Sequence, residues 1–385
     1  DHRTKNEQTP KKTDISEFGF DIYSDFLRKA TAKSEEELFN KNTITGGDLF
    51  SVSVPVTIND VNNFLLSCYE RYKSNKYKEN FSWLDNIKEV KEKKTKELLN
   101  LELVRNINEK NFDKVWTAVP EIIEWEDISD FRYKTSTPGF DDIEIQQVIE
   151  LFKDGIISNV NSLKNRKVYA MSVDGDEPLY EWSIYNCLIA EIEYNDNAYC
   201  LNFGKWYKVD KDFVSSINNY YKSIEISGIE FPINTNERED EYNKKLCTSL
   251  NNSILMDKET VRVTGMGRSS IEVCDVLTSD NNLIHVKKNG GSSYLSHLFN
   301  QAAVSGEMLL DVNFRDEANK KIGKIIFKDD FIPSIYTVVL AIITKSNDER
   351  PKIPFFSKVS IQYAIDGLRR KGYKVKIKNI HIKEE

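Results

Sequence analysis

The chain has 385 residues, of which 39% are hydrophobic and 30% charged, a composition typical of a globular protein with about two or three domains. No apolar run reaches the length of about 18 residues that a membrane-spanning helix needs, which argues against a membrane span. The net charge of −7 does not suggest nucleic-acid binding, although residues 351–385 carry nine Lys or Arg against three acidic residues.

The cysteines are odd in number and dispersed, without paired spacing: Cys68, Cys187, Cys200, Cys247 and Cys274. Such a set indicates reduced thiols rather than a disulfide framework or a zinc cluster. We therefore expect a cytoplasmic protein.

The first third of the chain is predicted to form a leader and a separate N-terminal α+β domain. Residues 1–13 are polar and lack periodicity, which predicts a disordered leader. The domain is assigned to residues 14–134, with a helix over Phe18–Phe39 and a strand over Leu49–Val56. The segment Thr135–Gly139 is the predicted linker, because it combines Pro and Gly with small polar residues. For this domain the sequence leaves three roles open: recognising a partner, forming a homo-oligomer, or covering a catalytic face.

Residues 140–385 are predicted to form a C-terminal domain rich in strands. Asn195-Asp196-Asn197 predicts the turn of a hairpin, and the nearly all-apolar run Tyr336–Thr344 predicts a strand at the centre of a sheet. The other elements predicted here are strands over Met256–Val263, Ile322–Phe327 and Tyr373–Ile382, and helices over Glu237–Leu250, Ser292–Leu310 and Phe355–Lys371.

The stretch Ser270–Gln301 holds the densest set of chemically useful side chains. Two β-type runs flank a polar turn, and alternation places His285 and Lys287 on the same face of the second run. Asp275 lies on the first run, so pairing of the runs as a hairpin predicts that these three side chains lie near the same end. Glu272 is a further acid, but alternation directs it to the opposite face unless a bulge intervenes.

From Glu237 onward the predicted order is helix, strand, strand, strand, helix. Glu241 lies on the first helix, Asp275 on the second strand, and His285-Val286-Lys287 on the third. This pattern resembles the PD-(D/E)XK nuclease superfamily, whose core is an αβββα unit. The resemblance implies an α+β (mixed α/β) fold with a restriction-endonuclease-like core at about residues 237–310. It also implies metal-dependent hydrolysis of phosphodiester bonds in DNA or RNA.

The same resemblance implies the roles of the site residues. Asp275, Glu241 and His285 would hold Mg²⁺ or Mn²⁺, and Lys287 would stabilise the attacking water or the phosphate. Carboxylate oxygens are the ligands that such hard cations prefer, and a cationic side chain stabilises charge that develops on a phosphate. His285 departs from the superfamily pattern, which has an acid there, and a histidine ligand favours Mn²⁺ or another transition metal over Mg²⁺.

Nucleic-acid contacts are expected from polar and basic side chains around this core. They are Lys288, Ser292, Ser293 and Gln301, which follow the third strand, and Lys374, Lys376 and Lys378, which alternate on one face of the last predicted strand. Ordinary structural alternatives stand beside these roles. Asp275 and Lys287 could form a cross-strand ion pair, and Gly290-Gly291-Ser292 could be a turn with a helix N-cap.

Five segments of the chain resemble a sporadically distributed bacterial family of unassigned function: Ile44–Asp48, Phe81–Asp85, Gly204–Asp210, Leu283–Phe299 and Pro354–Lys358. The patchy distribution of that family implies horizontal transfer and a role in defence against phage or foreign DNA. Together the two resemblances favour a nuclease or nuclease-like effector of bacterial defence. The alternative is a non-catalytic scaffold that binds nucleic acid or senses a phage-derived or host protein, and His285 in place of an acid favours that alternative.

Overall fold

The computed structural model describes residues 30–34, 36–47, 49–121, 123, 127–175, 177–257, 259–261, 271–289 and 292–383, with the backbone alone at 30, 80, 81 and 292–294. The predicted leader, residues 1–13, lies outside this part of the chain. The chain divides into two compact units, Asp1–Ile87 and Lys88–Glu385.

The described part of the first unit contains an antiparallel sheet and helices: β1 (Ala30–Lys33), β2 (Thr43–Gly46), β3 (Ser51–Val52), α1 (Val61–Lys73) and α2 (Lys78–Phe81). The helix predicted over Phe18–Phe39 differs from the structure in its described part, which holds β1 and a short 3-10 turn. The strand predicted over Leu49–Val56 is limited to β3. Pro55 lies within the predicted range, and proline has no N–H to donate to a sheet.

The second unit is built on two large sheets and the helices that cover them. The division between the units falls inside β4, the first of these elements. In chain order they are β4 (Ile87–Glu89), α3 (Lys93–Asn108), β5 (Val115–Thr117), β6 (Ile128–Arg132), α4 (Ile145–Glu150), α5 (Val160–Asn165), β7 (Lys167–Ser172), β8 (Pro178–Ser183), β9 (Leu188–Tyr194), β10 (Asn197–Asn202), β11 (Lys205–Val209), α6 (Lys211–Ser223), β12 (Glu225–Ile226), α7 (Glu239–Ser249), β13 (Ile254–Leu255), β14 (Thr260–Val261), β15 (Ile271–Glu272), β16 (Val276–Leu277), β17 (Asn282–Lys288), α8 (Ser292–Met308), α9 (Val312–Ile322), β18 (Thr337–Thr344), α10 (Phe355–Arg370) and β19 (Lys374–His381).

Within the described residues, the strand order is β4-β11-β10-β9-β5 in one large sheet, called the middle sheet here. The order is β12-β19-β18-β17-β16-β13 in the other, the C-terminal sheet. Smaller sheets contain β6-β7-β8 and β14-β15. In the C-terminal sheet β17, β18 and β19 are parallel, whereas β16 runs antiparallel to β17. The expected mixed α+β class is therefore confirmed at this coarse level.

The two faces of the C-terminal sheet are covered by different helices. Side chains of α8 and α10 form one apolar cluster with Leu283, Val338 and Leu340. The opposite face packs Ile284 and Val286 against α7. Successive residues of a strand point to opposite faces, so β17 contributes to both clusters. A sheet buried on both faces explains why β18 is almost wholly apolar.

Several predicted elements of the second unit are confirmed. The turn at Asn195 and Asp196 joins β9 to β10, and both residues have positive φ values, 45° and 57°, as a tight two-residue hairpin turn requires. β18 lies between two parallel neighbours, as its apolar run predicted. α10 ends just before Gly372, whose φ of 98° is accessible to glycine.

Two predicted strands differ from the structure. Met256–Val263 contains only β14 as a strand within its described residues. Ile322–Phe327 contains no strand, since α9 runs to Ile322 and ends in a left-handed cap at Gly323. The Asn319 side chain accepts the N–H groups of residues 326 and 327 at 2.9 and 3.0 Å. These groups are thereby bonded within the turn and do not form a sheet ladder.

The predicted boundary at Thr135–Gly139 does not coincide with the division of the structure. This segment lies inside the second unit, where the backbones of Phe131 and Phe140 exchange two hydrogen bonds of 2.8 Å across it. The preceding strands β5 and β6 pair with β9 and β7, so residues 88–134 share the sheets of the later chain. A polar segment with Pro and Gly is here a hairpin loop.

Within the described residues, no helix is long and apolar enough to cross a membrane. The five cysteines are free thiols, three of them buried.

Candidate functional site

A group of ionisable side chains lies where β17 loses its antiparallel neighbour. β16 pairs with β17 only through residues 276–277 and 283–284. Beyond that point two carboxylates take over as acceptors: the Val286 N–H donates to Asp275 Oδ2 at 2.6 Å, and the Lys288 N–H donates to Glu239 Oε2 at 3.3 Å. Alternate N–H groups of a strand face the same edge. The carboxylates therefore continue the ladder along the open edge of β17.

Lys287 lies between the two N–H donors, Val286 and Lys288, and its side chain is bound by one of the two carboxylates. Its Nζ donates to Glu239 Oε1 at 2.7 Å, so Glu239 binds both the Lys287 side chain and the Lys288 backbone. Burial alone would lower the pKa of Lys287, but the negative charges of Glu239, Asp275 and Glu272 raise it above its ordinary value. The Lys287 ammonium is therefore protonated at neutral pH.

Asp275 is the most buried acid of the group, with 8% of its surface exposed. Burial raises its pKa well above the ordinary range, and the nearby charge of Glu239 raises it further. The Val286 N–H and the Lys287 ammonium oppose this rise. The negative charge of Asp275 is therefore destabilised in this environment, and additional positive charge nearby would stabilise it.

A third acid, Glu272, approaches from β15, and helix α8 contributes Gln301 beside it. The Gln301 Nε2 donates to Glu272 Oε2 at 3.4 Å. Glu272 also raises the pKa of Asp275, so the two carboxylates are within electrostatic reach. Strand alternation predicted that Glu272 lies on the other face. However, β15 and β16 are separate short strands, so alternation does not continue from one to the other.

The structure places two of the sequence-predicted ligands away from this group. His285 is buried and faces α8, with its Nε2 3.5 Å from Ser305 Oγ. Burial lowers its pKa to about 4. Glu241 is exposed on α7, and the acid of α7 that meets Lys287 is Glu239.

Glu239 was missed by the sequence reasoning, although the sequence does carry a signal for it. Residues three or four positions apart share a face of a helix. Glu239, Tyr242 and Leu246 follow that spacing, and the last two are fully buried against the C-terminal sheet. Glu241 lies about 200° around the helix from Glu239. The buried stripe of α7 therefore selects Glu239.

The predicted nucleic-acid residues are only partly grouped. Lys376 pairs with Glu225 of the neighbouring strand β12 at 2.5 Å. Lys378 donates to the Ser227 carbonyl at 3.3 Å, and Lys374 is exposed. Of the remaining residues, Lys288 and Gln301 belong to the group around Asp275, whereas the side chains of Ser292 and Ser293 lie outside the described part of the chain.

The donors and the geometry of this group differ in how well they suit a cation. In the described part of the chain, no group of three or more His, Cys, Asp and Glu side chains is arranged to hold a metal ion. The chemistry of the donors does suit Mg²⁺ or Mn²⁺, because Asp275, Glu239 and Glu272 are hard oxygen ligands that repel one another. In the structure the Lys287 ammonium supplies the compensating charge.

Comparison of the chain with curated proteins and with solved structures found no significant match. A protein-family model does match, and it covers residues 1–381. The match spans nearly the whole length of the chain and thus both structural units. The chain therefore belongs to DUF6119, a family of unknown function.

Proposed function

We propose that the protein is a metal-dependent nuclease, or a nuclease-like effector, which hydrolyses phosphodiester bonds in DNA or RNA. The observation that carries this proposal is the buried Asp275 beside Lys287 at the open edge of β17, with Glu239 and Glu272 around them. The chain order α7, β13, β16, β17, α8 agrees with a helix–three strands–helix core. β14 and β15 follow β13 and precede β16 in the chain, and they pair with each other in a separate small sheet.

Asp275, Glu239 and Glu272 are the residues that would hold the cation. Bound there, Mg²⁺ or Mn²⁺ would supply Lewis-acid chemistry to a phosphodiester. Glu239 takes the role that the sequence assigned to Glu241, because Glu239 binds Lys287 and the Lys288 N–H whereas Glu241 is exposed. His285 is left out of the proposed ligand set, because its ring faces Ser305.

Lys287 has a separate task in this proposal. An ammonium group beside a phosphate stabilises the negative charge that develops during hydrolysis. In the structure the Glu239 carboxylate neutralises that ammonium, with 2.7 Å between Lys287 Nζ and Glu239 Oε1. Lys287 can act on a phosphate only when Glu239 has another positive partner, which links the role of the lysine to occupancy of the carboxylates.

The biological role in this proposal follows from the family resemblance. A sporadically distributed bacterial family implies defence against phage or foreign DNA, and a nuclease would serve that role directly. Gln301 lies on α8 beside Glu272, where it can contact a nucleic-acid substrate. Lys374, as an exposed lysine on β19, could contact the phosphate backbone farther from the site.

The test is cleavage of plasmid, linear and single-stranded DNA and of RNA with Mg²⁺ or Mn²⁺. We expect cleavage by the wild type, and a loss of about 100-fold or more in Asp275→Asn, Glu239→Gln and Lys287→Met, the magnitude typical of removing one electrostatic contact to the transition state. Glu241→Gln is the matched control, because it changes an exposed acid of the same helix. Cleavage that survives all three site substitutions would contradict the proposal.

The stability of Asp275→Asn shows whether a loss of activity is caused by a loss of folding. Asparagine keeps an oxygen for the Val286 N–H while it removes a negative charge that burial destabilises. We therefore expect this variant to unfold at a urea concentration no lower than the wild type at neutral pH.

A non-catalytic scaffold is the second candidate, and a specific observation favours it. Lys287 is neutralised by Glu239, and His285 occupies the place of an expected acid without facing the carboxylates. A scaffold would bind nucleic acid without metal-dependent turnover. Gel-shift binding of the wild type, without cleavage of any substrate and without dependence on Mg²⁺ or Mn²⁺, would select this candidate.

A further inference from the structure

The C-terminal half of α1, in the first unit, presents two aromatic rings to solvent. None of the residues of α1 is buried. Tyr69 is 53% exposed and Tyr72 is 85% exposed. Aromatic side chains contribute strongly to cores and interfaces when they are buried, so two exposed rings on one helix indicate a contact surface. Packing among the described residues of the first unit does not account for them.

The rings of Tyr69 and Tyr72 are stacked on each other. Their centroids lie 6.5 Å apart, and their planes differ by 20°. Lys73, one helical turn after Tyr69, places its Nζ 4.6 Å from the centre of the Tyr69 ring. This cation–π contact favours the observed orientation of the ring. A pair of nearly parallel rings, of which one is largely exposed, forms a platform onto which another flat aromatic group can stack.

The sequence around this platform is strongly basic. Residues 71–78 contain four Lys or Arg and no acidic residue, although the whole chain has a net charge of −7. Arg71 and Lys78 form ion pairs with acids of the same unit, at 2.6 and 3.4 Å. Lys73 and Lys76 are exposed. A local concentration of positive charge on an otherwise acidic protein is the electrostatic pattern expected for binding a polyanion.

The combination of stacked rings and lysines favours one class of partner. A single strand of nucleic acid offers bases that stack on aromatic side chains and phosphates that bind lysines. In a duplex the bases are already stacked on one another. A second copy of the chain is the other partner to consider, but a two-fold contact brings the same patch against itself and therefore brings like charges together.

We propose that α1 and the segment that follows it bind single-stranded nucleic acid. Bases stack on Tyr72 and Tyr69, and phosphates are held by Lys73 and Lys76. The inference goes beyond the proposed function, because it gives the first unit a binding role that requires neither a cation nor cleavage. Stacking and phosphate contacts do not depend on the identity of the base, so we expect this binding to show little sequence preference.

The test is binding of fluorescently labelled oligo(dT) and oligo(rU), of about 15 nucleotides, to the full chain. Fluorescence anisotropy measures the affinity, and EDTA prevents metal-dependent cleavage during the measurement. We expect Tyr72→Ala to weaken binding about 10-fold or more, and Tyr72→Trp to retain it because a flat ring is kept. Lys73→Gln and Lys76→Gln should each reduce the slope of log affinity against log salt by about 0.7. Leu66→Ala, an exposed apolar change on the same helix, is the matched control and is expected to bind as the wild type does.

Tyr72→Trp also provides a direct measurement of stacking. A base that stacks on the indole ring quenches its fluorescence, so oligo(dT) should quench this variant more strongly than the wild type. Wild-type affinity in Tyr72→Ala, or no additional quenching in Tyr72→Trp, would contradict the proposal. Self-association of the wild type that Tyr72→Ala abolishes, without binding of either oligonucleotide, would mean that the surface joins two copies of the chain.

Asp275→Asn separates this proposal from the nuclease proposal. We expect this variant to bind both oligonucleotides with wild-type affinity, because Asp275 lies in the second unit and takes no part in the platform. Absence of cleavage by the wild type would contradict the nuclease and leave the binding by α1 intact. Unchanged binding in Tyr72→Ala would contradict the role of α1 and leave the nuclease intact.

Discussion

His285 has a local environment that determines its charge. The residue is 3% exposed between β17 and α8, and burial lowers its pKa to about 4, against about 6.5 in an unfolded chain. The unfolded state therefore takes up a proton at a higher pH than the folded state does. The contribution to stability is fully present above about pH 6.5 and is lost as the pH falls towards 4.

The expected result is a pH-dependent difference between the wild type and His285→Gln. Between pH 7.5 and pH 5 the wild type should lose about 2 kcal/mol more of its free energy of unfolding than the variant, because only the wild type has this histidine to protonate. Urea unfolding at the two pH values measures both losses. Equal losses in the two proteins would mean that the ring is accessible to protons in the folded state.

At the same scale, the sequence predicted some residues of the site and not others. Asp275 and Lys287 could be found because strand alternation and a short turn bring them together with little help from the rest of the chain. Glu239 can be chosen over its neighbours only through the apolar stripe of α7, which fixes how the helix is rotated about its axis. That rotation is set by burial of Tyr242 and Leu246 against the C-terminal sheet, whose strands β17, β18 and β19 come later in the chain.

At the scale of elements, α8 and α10 pack closely at one glycine. A Cβ added to Gly306 would lie 2.5 Å from Leu368 Cδ2 and 3.4 Å from Tyr373 Cε2. Leu368 is fully buried, and the Tyr373 hydroxyl donates to the Gly306 carbonyl at 2.8 Å. Neither neighbour can move far without disturbing the core between the two helices.

We expect Gly306→Ala to lower the free energy of unfolding by about 1–3 kcal/mol, the usual cost of overpacking, although alanine is the better helix former. Gly367→Ala is the matched control, because a Cβ at that position in α10 meets nothing within 4 Å. There the higher helix propensity of alanine should raise stability by about 0.5–1 kcal/mol. Thermal unfolding of both variants gives the comparison, and a destabilisation of equal size at both positions would contradict it.

The elements that were predicted correctly are those whose signals are local. The β9–β10 hairpin has a turn of two residues with positive φ, and β18 has an unbroken apolar run. The strand expected over Ile322–Phe327 failed because the Asn319 side chain, from the preceding helix, captures its N–H groups. A side chain that replaces a strand partner leaves no periodic signal in the sequence. At the candidate site, too, a side chain takes the place of a neighbouring strand, because the Val286 N–H donates to the Asp275 carboxylate.

At the scale of the whole second unit, the middle sheet and the C-terminal sheet meet at the start of α10. Glu191 of β9 accepts the Phe355 N–H at 2.6 Å, and its charge interacts with Lys358 one turn later. Tyr207 of β11 packs edge-on against Phe356, with ring centroids 5.8 Å apart. These contacts join two sheets that the sequence presents only as successive elements of one strand-rich region.

Burial and nearby positive groups have opposite effects on the charge of Glu191 at the N-terminus of α10. Burial raises the pKa of Glu191 above its ordinary value, while Lys358 and the Phe355 N–H favour its charged form. Burial likewise lowers the pKa of Lys358. A negative group is stabilising at the N-terminus of a helix, because the first N–H groups there have no partners within the helix. The carboxylate therefore holds α10 to β9 at the point where the two sheets meet.

We expect Glu191→Ala to lower the free energy of unfolding by about 1–3 kcal/mol, because it leaves the Phe355 N–H without its acceptor and Lys358 without its opposite charge. Glu191→Gln keeps an acceptor and should lose less. Glu193→Ala is the matched control on the same strand, since Glu193 forms an exposed ion pair with Lys114, and such pairs contribute about 0–1 kcal/mol.

The measurement should follow both sheets of the second unit in Glu191→Ala. No tryptophan occurs after Trp206, which is buried in the middle sheet, so tryptophan fluorescence does not report directly on the C-terminal sheet. Hydrogen exchange of the amides in α10 and β18 reports on that sheet. If Glu191 couples the sheets, both signals shift together in Glu191→Ala. A shift confined to the amides of α10 would mean that Glu191 only caps the helix and does not couple the two sheets.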